Sequence, residues 1–334
     1  MNKVTIKDIA DMAGTSKTTV SFYLNGKYEK MSADTKERIK EVIKETNYSP
    51  SIVARSLTIK KTNLIGVVVA DISNPFSSNI VKGIDDVARR EDYQIIVGSS
   101  NYDFNYEEKY INKMLDMGVD GFIVQSTIKF TSLIEKIKER GKKLVLLDSV
   151  DEEFKGKWVK TNNYEITKEA LETLVNKGYN NFIFLTQDPN LLMVRVERMK
   201  AFEKTLENLG ADYSVKVISE EINNNELEKV INKEIKKDKK NLIFAVNGIM
   251  LQKTYDYIKY KNLDIPNNVG LIGFDDWDWA RYASPTVTNI AQPTYEEGKK
   301  AARILIDDIE HNKTEKSSLV LNCKINWGES TGLK

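Results

Sequence analysis

The sequence predicts an α/β chain in which a small three-helix module precedes a two-lobed core of doubly wound parallel sheets. Three observations carry that expectation. Short, polar-capped apolar helices crowd the first part of the chain. From Asn63 onward, β-branched runs alternate with amphipathic helical stretches, which demands crossover connections and therefore parallel strands. After about Thr161 the alternation begins afresh, so two similar lobes with a cleft between them are expected.

In the first helix Ile6, Ile9, Ala10 and Ala13 fall at i, i+3, i+4 and i+7 and form one inward stripe, with Thr5 as its cap. Gly14 suits a left-handed helix end, and Ser16 caps a second helix from Lys17. Val20 and Leu24 take the inner face of this second helix, leaving Lys17, Thr18, Ser21 and Phe22 to meet a DNA major groove. The same pattern also fits an ordinary helical hairpin. Ser32-Ala33-Asp34-Thr35 opens a third helix, in which Ile39, Val42 and Ile43 share a face, and three helices can close a small core.

The core opens with the strand Leu64–Val69, whose unbroken apolar run suits burial on both faces. A helix over about Pro75–Arg90, a strand at Gln94–Gly98, a helix near Tyr106–Met117 and a strand at Gly121–Val124 follow. Another helix then leads to Leu144–Asp148. The second lobe starts with a helix through Leu171 and continues with strands at Phe182–Leu185, Val215–Ile218, Leu242–Val246 and Gly270–Gly273. Asp71, Asp148, Asn247 and Asp275 each sit just after an apolar run, where open α/β sheets bind ligands. For any one of them, a helix cap or turn is the competing role.

Charge and rare residues narrow the function. Residues 1–61 hold twelve Lys or Arg against seven Asp or Glu, while the rest hold 38 against 42. A basic module ahead of a mildly acidic body fits phosphate contact by the first part alone. Cys323 and His311 are the only residues of their types in the 334, which excludes an intramolecular disulfide, cysteine zinc clusters and HExxH sites. No catalytic residue, metal or cofactor is expected. The sequence has no run of about 20 apolar residues and no apolar leader behind positive residues, so a cytoplasmic protein without a membrane partner is expected.

Several separated motifs resemble, in order and spacing, those of the LacI/GalR family of bacterial transcription regulators. They are Thr5-Ile6-Lys7-Asp8-Ile9-Ala10, Ser16-Lys17-Thr18-Thr19-Val20-Ser21, Asn47-Tyr48-Ser49-Pro50 and Ala54-Arg55-Ser56-Leu57, followed by Asp71-Ile72-Ser73-Asn74-Pro75-Phe76, Asp120-Gly121, Gly273-Phe274-Asp275-Asp276 and Gln292-Pro293. The resemblance spans essentially the whole chain. It implies a helix-turn-helix headpiece over 1–60, with a hinge helix at about 50–58. It also implies a core over 61–334 like that of periplasmic sugar-binding proteins, with three crossovers between an N-subdomain (about 62–161 and 291–322) and a C-subdomain (about 162–290 and 323–334).

Residue by residue, the resemblance places Lys17, Thr18 and Phe22 on bases and Thr5, Ser16, Thr19, Ser21 and Asn25 on phosphate or the turn. Ala54 and Leu57 fall in the hinge helix, where Leu57 matches a minor-groove wedge. Effector contacts map to Phe76, Asp148, Arg198, Asn247 and Asp275, with Arg195 and Trp277 as neighbours. Arg195 paired with Arg198 hints at an acidic effector; the competing role for Arg195 is a solvated helix residue, and for Trp277 a cover on the cleft rim. Four departures stand out. Phe22 replaces a common guanine-reading Arg, Ser51 a common Asn, Gly248 a common Asp, and Lys27–Met31 is one residue longer than in several relatives.

The expected function is a sequence-specific regulator, a repressor of carbohydrate uptake or catabolism. It would act as a homodimer on a palindromic operator, controlled by a sugar, sugar acid or sugar phosphate between the lobes. The alternatives are a cytoplasmic small-molecule binding protein and a regulator under a purine or phosphoprotein corepressor. An enzyme built on Asp275-Asp276 is disfavoured, because adjacent carboxylates in one loop do not flank a scissile bond. The sequence ends at Lys334 without a leucine heptad tail, so a dimer is expected rather than a tetramer.

Overall fold

The computed structural model describes residues 4–48, 61–148, 150, 154–275, 277–311 and 318–333. The expected hinge helix at about 50–58, with Ala54 and Leu57, lies outside the described residues, as do Ser51 and Asp276. The chain divides into two compact units, Met1–Thr62 and Asn63–Lys334.

The first unit is helical: α1 (Ile6–Met12), α2 (Lys17–Leu24) and α3 (Ala33–Thr46). Thr5 closes a capping box with Asp8, Ser16 caps α2 and Ser32 caps α3, so each start satisfies a backbone N–H that the helix itself leaves unpaired. Gly14 takes φ +61°, the left-handed turn between α1 and α2. Ile9, Ala10, Ala13, Val20, Ile39 and Val42 form the buried core. The longer connection after α2 becomes a short 3₁₀ turn at Tyr28–Lys30, where the Tyr28 ring packs edge-on against Tyr23 and lies 4.0 Å from Lys36 Nζ.

The second unit holds two six-stranded sheets. The first contains β1 (Leu64–Val69), β2 (Gln94–Ser99), β3 (Gly121–Gln125), β4 (Lys143–Leu147), β5 (Lys157–Thr161) and β11 (Ser318–Leu321), in the order β11-β5-β4-β3-β1-β2 and wholly parallel. The second contains β6 (Asn181–Thr186), β7 (Asp212–Val217), β8 (Asn241–Ala245), β9 (Val269–Phe274), β10 (Thr288–Ala291) and β12 (Lys324–Asn326), in the order β12-β10-β9-β8-β6-β7. Only its β10–β12 edge is antiparallel. Central strands β1, β3, β8 and β9 are buried along almost their whole length, as parallel strands covered on both faces must be.

The covering helices are α4 (Pro75–Arg90), α5 (Phe104–Asp116), α6 (Thr131–Glu139), α7 (Asn163–Asn176), α8 (Met193–Leu209), α9 (Asn224–Glu234), α10 (Gly248–Tyr260), the short α11 (Trp279–Tyr282) and α12 (Thr294–His311). The chain passes between the sheets three times, after β5, after β10 and after β11. The last two passages are tied to the first: Cys323 N donates to Asn162 Oδ1 at 2.7 Å, and Thr161 Oγ1 to Gln292 Oε1 at 3.1 Å. Helix α12 returns to the first sheet and packs closely on α4. A β-carbon on Gly83 would lie 2.2 Å from Tyr295 O, and one on Gly298 2.2 Å from Ile80 O, so the two backbones meet at a distance only glycine permits.

Candidate functional site

Asp148, Asn247 and Asp275 stand at the carboxyl ends of β4, β8 and β9, and Gln292, on the crossover after β10, joins Asp275 to Arg198 in a hydrogen-bond network. Asp148 and Asp275 directly follow β4 and β9 and take φ +60° and +77°, strained values that aim each carboxylate off its strand. Arg198, on α8 and 3 % exposed, donates from Nε to Asn163 Oδ1 (2.8 Å), from Nη1 to Val246 O (2.9 Å) and from Nη2 to Gln292 Oε1 (3.0 Å). Its guanidinium lies 3.6 Å from the centroid of the Phe274 ring. Gln292 is the joint of this network: it accepts from Arg198 and Thr161 and donates through Nε2 to Asp275 Oδ1.

Asp275 Oδ2 accepts from Gly248 N at 2.9 Å, so the carboxylate sits on the N-terminus of α10, where the helix dipole favours a negative charge. Asn247 caps the same helix through Met250 N (2.9 Å) and donates to Gln187 Oε1 (3.0 Å). Asp148 Oδ2 accepts from Gln125 Nε2 at 3.1 Å, while its Oδ1 is buried without a protein partner. Burial pushes the Asp148 carboxyl up to about 6, against the opposing pull of the Arg198 charge.

Phe76, Asp275, Trp277, Gln292 and Thr294 line a small void of about 20 Å³ between the sheets. A larger opening of about 580 Å³ lies beside it, bounded by Asp71, Asn74 and Pro75 on one side and by Ile249, Gln252 and Trp277 on the other. The glycine that follows Asn247 has a steric reason. A β-carbon on Gly248 would lie 2.5 Å from Trp277 Cε2, so only glycine leaves room for the indole over the start of α10.

Arg195 stands differently from the expected pairing. It is 1 % exposed and does not join Arg198; it forms a two-pronged ion pair with Glu220 (2.8 and 3.3 Å) and donates to Asp188 O (2.8 Å). Glu220 neutralises its charge, which removes the basis for reading an acidic effector from two adjacent arginines. Nor is it a solvated helix residue. Its guanidinium carbon lies 5.5 Å from the ring centroid of Tyr102, on the first lobe, so the side chain bridges the lobes. Asp71, for its part, closes a local turn by accepting from Ser73 N at 2.8 Å.

In the helical unit Lys17 and Thr18 are exposed, Ser21 and Phe22 half-buried. The Thr5, Ser16 and Thr19 hydroxyls are engaged in capping, and Asn25 Nδ2 donates to Ser21 O at 2.8 Å. These four residues hold the turn that presents Lys17 and Thr18 at the N-terminus of α2, where free N–H groups and the helix dipole attract phosphate. Sequence reasoning missed Gln125, Gln187 and Asn163, whose partners lie on distant segments, and Glu297, which is buried beside the Asp148 carboxyl; Gln292 was visible only as part of a motif.

Residues 5–51 match the model of bacterial regulatory proteins of the lacI family, and residues 171–331 match the periplasmic binding protein-like domain. The HTH-type transcriptional regulator KdgR of Bacillus subtilis (strain 168) is 33% identical over 325 residues, covering 96% of each chain. The chain belongs to the LacI family. This LacI-family regulator is also 32% identical over 336 residues to the probable HTH-type transcriptional regulator EndR of Paenibacillus polymyxa, with 98% of each chain covered. Its fold is that of the lac repressor dimer bound to operator and the anti-inducer ONPF (TM-score 0.84, 20% identity, 99% of each chain covered). The transcriptional regulator CelR in complex with cellobiose shares it as well (TM-score 0.71, 23% identity, 98% of this chain and 99% of that one). Among the described residues, no helix is long and apolar enough to cross a membrane.

Proposed function

We propose that this LacI-family regulator is a repressor of genes for carbohydrate uptake or catabolism, whose grip on operator DNA is set by a small molecule held between the core lobes. One observation carries the reading: a capped helix-turn-helix with exposed Lys17 and Thr18 shares a chain with a cleft whose polar lining comes from both sheets. Lys17, Thr18 and Phe22 read bases. Ala54 and Leu57 act in the hinge. Phe76, Asp148, Arg198, Asn247, Asp275 and Trp277 surround the effector, and Arg195 with Glu220 steadies the lobe opposite Tyr102.

A palindromic operator requires a two-fold dimer, and an effector that prefers one lobe arrangement shifts DNA affinity by its own differential binding energy. The protein works in the cytoplasm and does no catalysis. Support comes from the relatives named as transcriptional regulators, from the lac repressor dimer bound to operator, and from the cellobiose complex of CelR. Gel-shift titration with the DNA upstream of the gene tests it. A sequence-dependent complex that weakens steeply with salt is expected, and binding indifferent to sequence would refute the reading.

A further inference from the structure

Glu297 is an acid in an unusual place. It sits one turn into α12, is 0 % exposed, and neither carboxylate oxygen is held by a well-formed hydrogen bond, the backbone of Asp148 being the polar group that reaches it. The glycine contacts of α12 with α4 fix the rotation of the helix and hold Glu297 against the sheet instead of solvent. Thr294, three residues earlier and so on the same helix face, lines the small void with Asp275, Trp277 and Gln292. The charged groups that act on Glu297 are the cleft's own, namely Asp148, Arg198 and Asp275. Two more polar atoms of this region are buried without partners: Asp148 Oδ1 and Trp277 Nε1.

A buried carboxyl left unsatisfied costs stability, so its retention calls for a compensating partner. The inventory at this spot is lopsided: three acceptor oxygens, on Asp148 and Glu297, stand against one indole donor. Among the described residues, the acids Asp275 and Glu197 act on Asp148, the acids Asp148 and Asp275 act on Glu297, and both feel one cation, Arg198, whose Nε, Nη1 and Nη2 are already engaged. Such a wall offers acceptor oxygens to hydroxyl donors, while Arg198, bound to Asn163, Val246 and Gln292, is not open to a carboxylate or phosphate.

We propose that Glu297 is a specificity-determining residue of the effector cleft, taking hydroxyl donors together with Asp148, so that the effector is an uncharged polyhydroxy compound and not a sugar acid or sugar phosphate. The proposal rests on the reading of the cleft as the effector site. It narrows that reading to one ligand class and adds a residue to it. Burial, reinforced by the Asp148 carboxylate, raises the Glu297 carboxyl well above its usual range.

The test uses the full chain and a thermal-shift panel of D-glucose, D-ribose and cellobiose against D-gluconate, D-glucuronate and glucose 6-phosphate. At least one neutral sugar is expected to stabilise the protein, and the acids are not. For the sugar that binds, Glu297→Leu is expected to weaken affinity about tenfold or more, the cost of one lost buried hydrogen bond, while Glu297→Gln stays within about threefold. Monodeoxy analogues then separate contact from mere support: the analogue lacking the hydroxyl held by Glu297 should lose affinity with the wild type and lose none further with Glu297→Leu. A panel in which only the acids shift, in which no neutral sugar shifts, or in which Glu297→Leu binds like the wild type overturns the proposal. Operator binding by the ligand-free chain is read separately in the gel shift, so a failed regulator reading shows there and not in the panel.

Discussion

Replacing Gln292 by leucine removes the joint between the lobes at nearly constant volume. Three groups lose their partner: Arg198 Nη2, Asp275 Oδ1 and Thr161 Oγ1. Arg198 and Asp275 are 3 % and 6 % exposed, so little water reaches them in exchange. Hydrogen bonds to charged groups contribute about 1.5–3 kcal/mol each and a neutral one about 1 kcal/mol, which bounds the loss at roughly 4–7 kcal/mol. Losses within one network do not add fully, and Arg198 keeps Asn163 and Val246, so about 3 kcal/mol is expected. For a core of this size that corresponds to a fall in Tm of roughly 6–12 °C. Differential scanning calorimetry of the full chain reads the core transition directly. A fall under about 2 °C would refute the view that Gln292 ties the crossovers to the cleft.

Three further outcomes follow from the same geometry. Gly248→Ala places a methyl group against the Trp277 indole and should cost about 1–3 kcal/mol in urea unfolding while weakening any ligand that rests on Trp277; unchanged stability would mean the indole moves freely. Asp148 has its folded value raised to about 6 and Glu297 is raised well above its ordinary value, so both hold protons more tightly folded than unfolded. Their contribution to stability is therefore full below the ordinary carboxylate range and is lost as pH rises through the folded values. Asp148→Asn should accordingly gain on the wild type between pH 5 and pH 8 in urea midpoint, and a constant difference would contradict the sign. Lys17→Ala should weaken operator binding and lower the slope of log K against log salt by about one; an unaltered slope would remove Lys17 from the phosphate field.

The helical unit was readable because its signals are local. Thr5, Ser16 and Ser32 each reach a backbone N–H three residues on, and Gly14 needs only its own backbone. Eight of the twelve strands among the described residues were readable as apolar runs, while β5, β10, β11 and β12, short or interrupted by polar residues, were not; Pro75–Arg90 emerged with the bounds its pattern suggested, since proline fixes the start and a basic pair closes the last turn. The cleft was readable only in outline. Asp148 and Asp275 stand at strand ends as expected, yet Asn247 is also a helix cap and Asp71 closes a turn. Arg195 was misread because its partner, Glu220, lies 25 residues away across β7, beyond any local pattern. Glu297 gave no signal at all: beside Glu296 in an amphipathic helix it reads as a solvated acid, and only the tertiary packing of α12, which sets it beside Asp148, buries it.

The central claim is that one chain couples DNA binding at the helix-turn-helix to a ligand in the cleft. Fluorescence anisotropy of a labelled upstream operator, titrated with the full chain with and without the sugar that stabilises it most, measures that coupling directly. A shift of operator Kd by fivefold or more in either direction, about 1 kcal/mol of coupling, is the expected result, with the same factor recovered when sugar affinity is measured with and without operator. Operator affinity that stays the same while the sugar saturates the cleft would contradict it.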